Sequence, residues 1–154
     1  MTSIKRFIFL RALPLVLALL GDAALAQNAP QPKLQTVDLT LGINVIHAEL
    51  AITPIQQQTG MMFRRTMGSN EGMLFVNEGA DQRCFWMRNT LLPLAIAFIA
   101  DDGTIVNIAE MQAQSEQSHC SAKPVRYALE MNQGWFAKRG FKAGAKLRGG
   151  PFAK

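Results

Sequence analysis

The two cysteines are the residues whose chemistry the sequence states most directly. Cys84 and Cys120 are the only cysteines among 154 residues. In an oxidising compartment an isolated pair of this kind forms a disulfide, whereas two reduced thiols would be free to bind a metal. Neither residue lies in a Cys-x-x-Cys motif or at a recognisable helix start, the contexts that lower a thiol pKa for catalysis. We therefore predict a Cys84–Cys120 disulfide, with metal binding as the alternative.

A stretch of unusual composition begins at the first cysteine, where residues 84–90 read Cys-Phe-Trp-Met-Arg-Asn-Thr. An aromatic ring beside an arginine, an amide and a hydroxyl can bind a sugar, a peptide or a carboxylate. The predicted binding residues are Trp86, Met87, Arg88, Asn89 and Thr90. The structural alternative places the aromatics in the core and lets Asn89 and Thr90 close a turn by bonding to nearby backbone. Both roles can hold at once.

One acidic residue lies in an apolar setting. Glu130 stands between Leu129 and Met131. We predict that this acid is partly buried and paired with an arginine such as Arg88 or Arg126; an outward-facing strand residue is the alternative. The sequence holds no paired carboxylates, no nucleophile-elbow serine and no phosphate-binding glycine loop. We therefore assign no catalytic residue.

Sulfur and imidazole are the ligands that suit copper(I). His119 precedes Cys120, and seven of the eight methionines follow residue 26. Those methionines are scattered rather than grouped in Met-x-x-Met arrays, so they indicate core residues that fill gaps. His47 falls in a predicted strand and is interpreted as structural. We predict no metal and no cofactor, and keep a periplasmic copper-binding or redox protein as the third hypothesis for function.

The first 26 residues have the order of a secretory signal peptide, with a cationic start, an apolar run over 12–20 and a small-x-small cleavage site at 24–26. The apolar run is shorter than the roughly 20 residues that a membrane-spanning helix needs. We therefore predict cleavage near Ala26, a periplasmic or secreted protein, and no stable membrane span afterwards. Residues 27–33, which include two prolines, are predicted to form a disordered leader.

The remaining residues, 34–150, fit a single domain. Signal-peptide cleavage would remove three cations and one acid, which lowers the formal net charge from +5 to +3. The other cations, Arg64 and Arg139 among them, are spread along the chain without a basic block, a pattern typical of solvated surface charge. We predict no nucleic-acid partner. The expected partner is an unknown ligand or envelope component, and the oligomeric state stays open.

Hydrophobic periodicity predicts about seven strands and two short helices. Thr53-Pro54 can cap and start the first helix, with Ile55 on its inner face and three glutamines facing out. Residues 94–100 are apolar on both faces, so they should form a central strand, joined to 104–111 by a tight turn. The predicted strands cover 36–41, 43–52, 72–76, 94–100, 104–111, 124–131 and 146–148, with turn residues 77–79 ending the third.

These strands are expected to pair mainly antiparallel. This pairing predicts a mainly β fold with a minor α component, either a compact antiparallel β-sandwich or a partly open barrel, with one or two short helices covering an end or an edge.

Four stretches of the chain resemble the domain of unknown function 192 family. They are 59–64 (Thr-Gly-Met-Met-Phe-Arg), 71–75 (Glu-Gly-Met-Leu-Phe), 85–90 (Phe-Trp-Met-Arg-Asn-Thr) with Pro93, and 127–130 (Tyr-Ala-Leu-Glu) followed by Gly134. The resemblance implies a small, mainly β domain that is often exported and whose activity is not established. Family members commonly carry an aspartate where this chain has Ala95, and often Gly-Asp where it has Ala145-Lys146. Because this chain has Ala95 instead of that aspartate, it could not use a mechanism that depends on the aspartate carboxylate.

Three functional hypotheses follow from these residues. The first is an exported, non-enzymatic binding or accessory module for a small molecule, an envelope polymer or a protein partner. It would act through the 86–90 turn and the loop that the disulfide joins to this turn. The second is an enzyme of unrecognised mechanism that uses Arg88 and Glu130. The copper-binding or redox protein is the third.

Overall fold

The computed structural model describes residues 29–152. The predicted signal peptide and the first two residues of the predicted leader lie outside this range. Residues 29–33 have no regular secondary structure, but the Gln31 side-chain amide donates to the carbonyl oxygens of Gln56 and Gly60 at 3.1 and 2.9 Å. From Gln31 onward the leader is therefore held against the domain, which differs from the predicted disorder.

Within residues 29–152 the chain forms nine strands, two α-helices and a final 3-10 turn at Gly150–Phe152. The strands are β1 (Thr36–Leu41), β2 (Asn44–Ala51), β3 (Glu71–Asp81), β4 (Cys84–Phe85), β5 (Leu94–Ile99), β6 (Ile105–Met111), β7 (His119–Cys120), β8 (Val125–Asn132) and β9 (Leu147–Arg148). The helices are α1 (Pro54–Thr59) and α2 (Trp135–Lys138). Neither helix in this range is long and apolar enough to cross a membrane.

Seven of the strands form one curved sheet in the order β6-β5-β8-β3-β2-β1-β9. All neighbours are antiparallel except β2 and β3. The two ends of the sheet meet, because Thr104 forms a bridge with Lys146 and the Leu147 N–H donates to the Gly103 carbonyl at 2.9 Å. The sheet is thus a barrel closed at one end, which confirms the predicted mainly β fold in its partly open barrel form.

The parallel pair arises because the chain crosses from β2 to β3 through α1. Thr53 caps this helix as predicted. Its hydroxyl accepts from the Gln56 N–H at 3.3 Å, and the Gln56 side chain accepts from the Thr53 N–H at 2.9 Å. The predicted orientation is wrong, since Ile55 is 68% exposed and Gln57 donates inward to the Val76 carbonyl at 2.8 Å. This short helix therefore docks through the Gln57 side-chain amide, which donates to backbone carbonyls of the β2 and β3 segments.

The central strands are buried on both faces. Each face of β5 belongs to a different core. The inner core, inside the barrel, takes Ala95, Ala97 and Ile99, and the outer core takes Leu94, Ile96 and Phe98. Inner-core residues come from strands all around the barrel, whereas the outer core is completed by Met61 and Met87 from segments outside the sheet. Irregular segments therefore cover the outer face of the sheet.

The third strand is longer than predicted. Turn-type residues 77–79 do not end β3, which continues to Asp81 after a register shift against β8. The Asn77 side chain donates to the Arg126 carbonyl at 2.8 Å, and the Arg126 guanidinium donates back to the Asn77 carbonyl. These two hydrogen bonds hold β3 and β8 together across the register shift.

Two strands that the sequence did not predict form a small second sheet. β4 and β7 are two residues each and pair antiparallel, with Cys84 opposite Cys120 and Phe85 opposite His119. The cysteine Cα atoms are 4.0 Å apart and the predicted disulfide is formed. It ties the start of the 84–90 stretch to the loop that follows β6.

Opening the disulfide is expected to lower the free energy of unfolding by about 3 to 4 kcal/mol, because the bond spans a sequence separation of 36 residues in the unfolded chain. Chemical denaturation of oxidised and reduced protein measures the difference. The Cys84→Ser/Cys120→Ser double variant should match the reduced protein and ignore reductant. Equal stability of the oxidised and reduced forms would contradict the prediction.

Candidate functional site

A cleft of about 960 Å³ opens on the outer face of the sheet. One wall is formed by α1 and residues 60–63, and the other by residues 83–90. Phe75 of β3, Phe85 of β4 and Glu130 of β8 supply side chains to the floor. The cleft is the gap between the two segments that cover this face.

The 86–90 turn forms part of one wall. Four of its five side chains line the cleft: Trp86, Arg88, Asn89 and Thr90. Trp86 is 49% exposed, and the Arg88 guanidinium lies 5.8 Å from the centre of its ring. Met87 is instead fully buried in the outer core. The turn therefore combines an exposed aromatic surface with a core anchor.

Two residues with left-handed backbone link the walls. Asn89 has a φ of 57° and Phe63 a φ of 62°, and the Phe63 N–H donates to the Asn89 carbonyl at 2.9 Å. This conformation is tolerated by asparagine but is unfavourable for a bulky side chain. Residues of this kind persist where the surrounding structure holds them, and they are frequent at binding sites.

Glu130 lies at the centre of the sheet beneath the cleft. Its register neighbours are Met73 on β3 and Ile96 on β5. The residue is 4% exposed, and its Oε2 has no hydrogen-bond partner among residues 29–152. Burial raises the pKa of Glu130 to about 8. The carboxyl group is therefore protonated at neutral pH and can donate a hydrogen bond.

The structure does not bring Glu130 to the arginines named as its partners. Within residues 29–152, Arg88 lies 3.9 Å from Glu116 and Arg126 lies 3.9 Å from Asp101. Both arginines reach acids at the surface, where the charges stay hydrated. Glu130 is buried more deeply than predicted and has no cationic partner in the described chain.

Arg83 is a cleft residue that the sequence did not reveal. Its Nη2 donates to the Gly79 carbonyl at 2.8 Å, while its Nε is buried without a partner. In the described chain only Arg64 Nε, Arg83 Nε and Glu130 Oε2 are buried side-chain atoms of this kind. Arg83 and Glu130 both line the cleft. No sequence signal sets Arg83 apart from other surface arginines.

A buried ion pair holds the opposite wall. Arg64 donates through both terminal nitrogens to the two carboxylate oxygens of Glu49, and the Leu34 N–H donates to the same carboxylate at 2.8 Å. Burial alone would raise the pKa of Glu49, but these hydrogen bonds outweigh it and the pKa lies below its ordinary value. The interpretation of Arg64 as a solvated charge is therefore wrong. The partners are 15 residues apart in sequence and meet only in the fold.

A second surface arginine also has structural contacts. The Arg139 guanidinium lies 4.3 Å from the centre of the Trp135 ring, and its Nε donates to Asn44 at 3.1 Å. Arg139 is exposed, so its charge is solvated as predicted, although its guanidinium also has these contacts.

Metal ligands do not converge in residues 29–152, where no group of three or more His, Cys, Asp or Glu side chains could hold an ion. The disulfide uses both cysteine sulfurs, so neither is a free thiol that could bind copper. His47 is at the surface, with Nδ1 2.7 Å from an Asp38 oxygen.

A family model described as DUF192, Uncharacterized ACR, matches residues 37–149. The chain belongs to the DUF192 family. This confirms the resemblance found in the sequence motifs. No curated protein matches the chain.

Two solved structures are similar to this DUF192 chain. A candidate transcription regulator from Sinorhizobium meliloti is 38% identical, with a TM-score of 0.71, and the match covers 75% of this chain and 93% of the other. A protein of unknown function from Novosphingobium aromaticivorans is 35% identical, with a TM-score of 0.69 and coverage of 82% and 99%.

The position where DUF192 proteins commonly carry an aspartate lies away from the cleft. Ala95 is fully buried in the inner core, on the face of β5 opposite to Ile96 and the outer core. An aspartate here would point into the barrel. Glu130 is therefore the acid that lines the cleft, whether position 95 holds alanine or aspartate.

Removing one partner of the buried ion pair is expected to destabilise the protein strongly. Arg64→Met leaves the Glu49 carboxylate buried and unpaired, which should lower the free energy of unfolding by about 3 to 5 kcal/mol. The Glu49→Gln/Arg64→Met double variant removes both charges and should recover much of this loss in chemical denaturation at pH 7. A double variant as unstable as the sum of the two single variants would rule out the coupling.

Glu130 should make stability fall as pH rises. The folded protein keeps this proton up to about pH 8, whereas the unfolded chain loses it near 4.5, the ordinary pKa of a glutamate. Between these values the unfolded state binds fewer protons, so the free energy of unfolding decreases with pH, by on the order of 4 kcal/mol between pH 5 and 8. No further loss is expected above pH 8.

Glu130→Gln should remove this pH dependence. The stability of the wild type relative to Glu130→Gln is measured by denaturation at pH 5, 6.5 and 8, and it should decline at each step. The exposed Glu78→Gln is the matched control, for which the difference from wild type should stay constant. A constant difference for Glu130→Gln would show that the carboxyl does not hold its proton in the fold.

Proposed function

We propose that this DUF192 protein is an exported, non-enzymatic binding domain whose cleft accepts a small organic molecule of the cell envelope. The observation that carries the proposal is that two buried polar atoms without protein partners, Arg83 Nε and Glu130 Oε2, belong to residues lining one cleft. Folded proteins pair almost all such atoms, because each unpaired one costs about 1 to 3 kcal/mol. A bound molecule would supply the missing partners.

The size and lining of the cleft support a small ligand. Small-molecule sites are typically clefts of about 300 to 1,000 Å³ with an apolar lining and a few polar groups. Here the apolar surface includes Phe75, Phe85 and Trp86, and amides come from Gln57 and Asn77. A carboxyl group at the base of a cleft is within reach of a small molecule or the end group of a polymer, whereas a flat protein surface would not contact it.

Both walls of the cleft are anchored, which favours binding. The disulfide holds the wall of residues 83–90, and the Glu49–Arg64 pair holds the wall of residues 60–63. A site that is already ordered loses less conformational entropy when a ligand binds. The disulfide and the ion pair therefore lie in the two walls that must be rigid for a ligand to bind.

Export is supported by two independent features of the chain. The order of charged, apolar and small residues in positions 1–26 is that of a secretory signal peptide. The only two cysteines form a disulfide, which persists in oxidising compartments such as the periplasm. We therefore place the protein in the periplasm or outside the cell.

The description of the Sinorhizobium relative suggests a different role, in transcription. We do not extend it to this chain, because the charge of +5 for the whole sequence is dispersed and an exported domain does not meet the genome. The proposal therefore keeps a small molecule rather than a nucleic acid as partner.

Glu130 favours one second candidate, an enzyme that uses this carboxylic acid to transfer protons. Buried acids with a pKa raised towards neutrality are typical of general acids. Arg88, the other residue of that hypothesis, lies at the exposed rim, where its side chain is 58% accessible. Conversion of a bound molecule by the wild type, lost in Glu130→Gln, would favour this candidate over simple binding.

Fragment binding tests the proposed function. We expect at least one of four probes, octanoate, octanol, octylamine and N-acetylglucosamine, to cause saturable chemical-shift changes in the backbone amides of residues 57–63 and 83–90. Two-dimensional NMR of the protein in its oxidised form measures these changes. The physical reason is that Arg83 and Glu130, which each have an unpaired buried polar atom, line this cleft together with its apolar floor.

A variant that fills the cleft provides the control. Gln58 is an exposed cleft residue on α1, so Gln58→Trp should block the shift changes without altering the core. Ile43→Trp adds the same side chain at a position that is 99% exposed and outside the cleft, and should bind as the wild type does. Shift changes that survive in Gln58→Trp, or that appear with none of the probes, would overturn the proposal.

A further inference from the structure

The charges that line the cleft are unbalanced. Arg83, Arg88 and Glu130 are its charged or titratable side chains, apart from Cys84, whose sulfur is in the disulfide. Glu130 is protonated at neutral pH and carries no charge there. The lining of the cleft is therefore cationic, although Glu116 partly offsets the charge of Arg88 from 3.9 Å.

The other elements around Glu130 do not change this balance. The wall of α1 and residues 60–63 contains only neutral side chains. On the adjacent strands the register neighbours of Glu130 are Met73 and Ile96, neither of which titrates. Arg64, at the end of the wall, is neutralised by Glu49. Of the groups that line the cleft, Arg83 and Arg88 are thus the ones able to attract a charged ligand.

The two unpaired groups can both use an acceptor from the ligand. Arginine is a donor only, and a protonated carboxyl has one hydrogen to donate as well as an oxygen that accepts. Arg83 Nε therefore needs an acceptor, and the Glu130 hydroxyl can donate to the same ligand group. A carboxylate offers two oxygens that only accept, whereas an ammonium group could donate to Glu130 but would leave Arg83 Nε unfilled. Hydrogen bonds to a charged acceptor are also about twice as strong as neutral ones.

The rest of the lining is suited to an apolar body. Met61, Phe75 and Phe85 belong to or pack on the outer core and face the cleft. Ile55 on one rim is 68% exposed and Trp86 on the other is 49% exposed. Exposed apolar residues on opposite rims of one cleft are typical of a site that an apolar group covers.

We infer that the ligand is an amphipathic carboxylate, with an acidic group that accepts hydrogen bonds from Arg83 and Glu130 and an apolar chain or ring that covers the floor and Trp86. The inference rests on the proposed function and names the chemical class of its ligand. A fatty acid and an N-acylated apolar amino acid both have this chemistry.

The affinity for such a ligand should fall in alkaline solution. Above a pKa of about 8 Glu130 becomes a carboxylate, which repels the ligand and no longer donates. At pH 9 the protonated fraction would be about a tenth, so the dissociation constant should rise about tenfold between pH 7 and pH 9. Below pH 7 the protein side of the interaction should not change through Glu130.

Calorimetric titration with matched probes tests the inference. Octanoate is expected to bind at least tenfold more tightly at pH 7 than octanol or octylamine, which have the same chain. N-acetylphenylalanine and octanoate then distinguish an acylated amino acid from a fatty acid as the source of the carboxylate. Tighter binding of octylamine or octanol would overturn the carboxylate inference and leave the proposed binding function standing. Failure of every probe would overturn both.

Variants separate the two donors. Glu130→Gln removes the titrating group, so its dissociation constant for octanoate should be the same at pH 7 and pH 9, whereas that of the wild type rises about tenfold. Arg83→Gln should weaken octanoate at least tenfold at pH 7 and weaken octanol by a smaller factor, because only octanoate also loses a charge interaction, whereas the exposed Arg148→Gln, outside the cleft, should bind both probes normally. Circular dichroism confirms folding of each variant. Unchanged octanoate binding in folded Arg83→Gln would contradict the inference.

Discussion

The structure depends on keeping both faces of the central strands β3, β8 and β5 away from water. The curvature of the barrel covers the inner face of these strands. Within residues 29–152 no second sheet of comparable size covers the outer face, so irregular segments cover it and lack the order that a strand ladder provides. Two strong cross-links replace that ladder: the Cys84–Cys120 disulfide on one side and the Glu49–Arg64 ion pair on the other.

The cleft is a consequence of that cover being incomplete. Side chains alternate along a strand, so Glu130 faces the gap while its neighbours Leu129 and Met131 face the barrel interior. Beneath the gap, burial raises the pKa of this acid to about 8, and its Oε2 has no hydrogen-bond partner in the described part of the chain. A residue with only a structural role at this position would be expected to be apolar. The buried carboxyl group lowers stability at neutral pH, and a role in ligand binding would explain why it is present.

The solved relatives have the same fold at 38% and 35% identity, so the barrel is a property that this chain shares with them. Trp86 and Glu130 of the cleft lie within the stretches that resemble the DUF192 family, whereas Arg83 lies just outside them.

The sequence by itself determined what depends on neighbouring residues. Alternation and turn chemistry predicted the hairpin over 94–111, Thr53 predicted the helix cap, and an isolated cysteine pair predicted the disulfide. Only the tertiary structure decided that residues 77–79 extend a strand, that Arg64 meets Glu49, and that Arg83 and Glu130 line one cleft. These outcomes depend on strand register and on which distant segments meet across the sheet. Local patterns carry no information about such contacts, because burial and pairing are decided by the assembled fold.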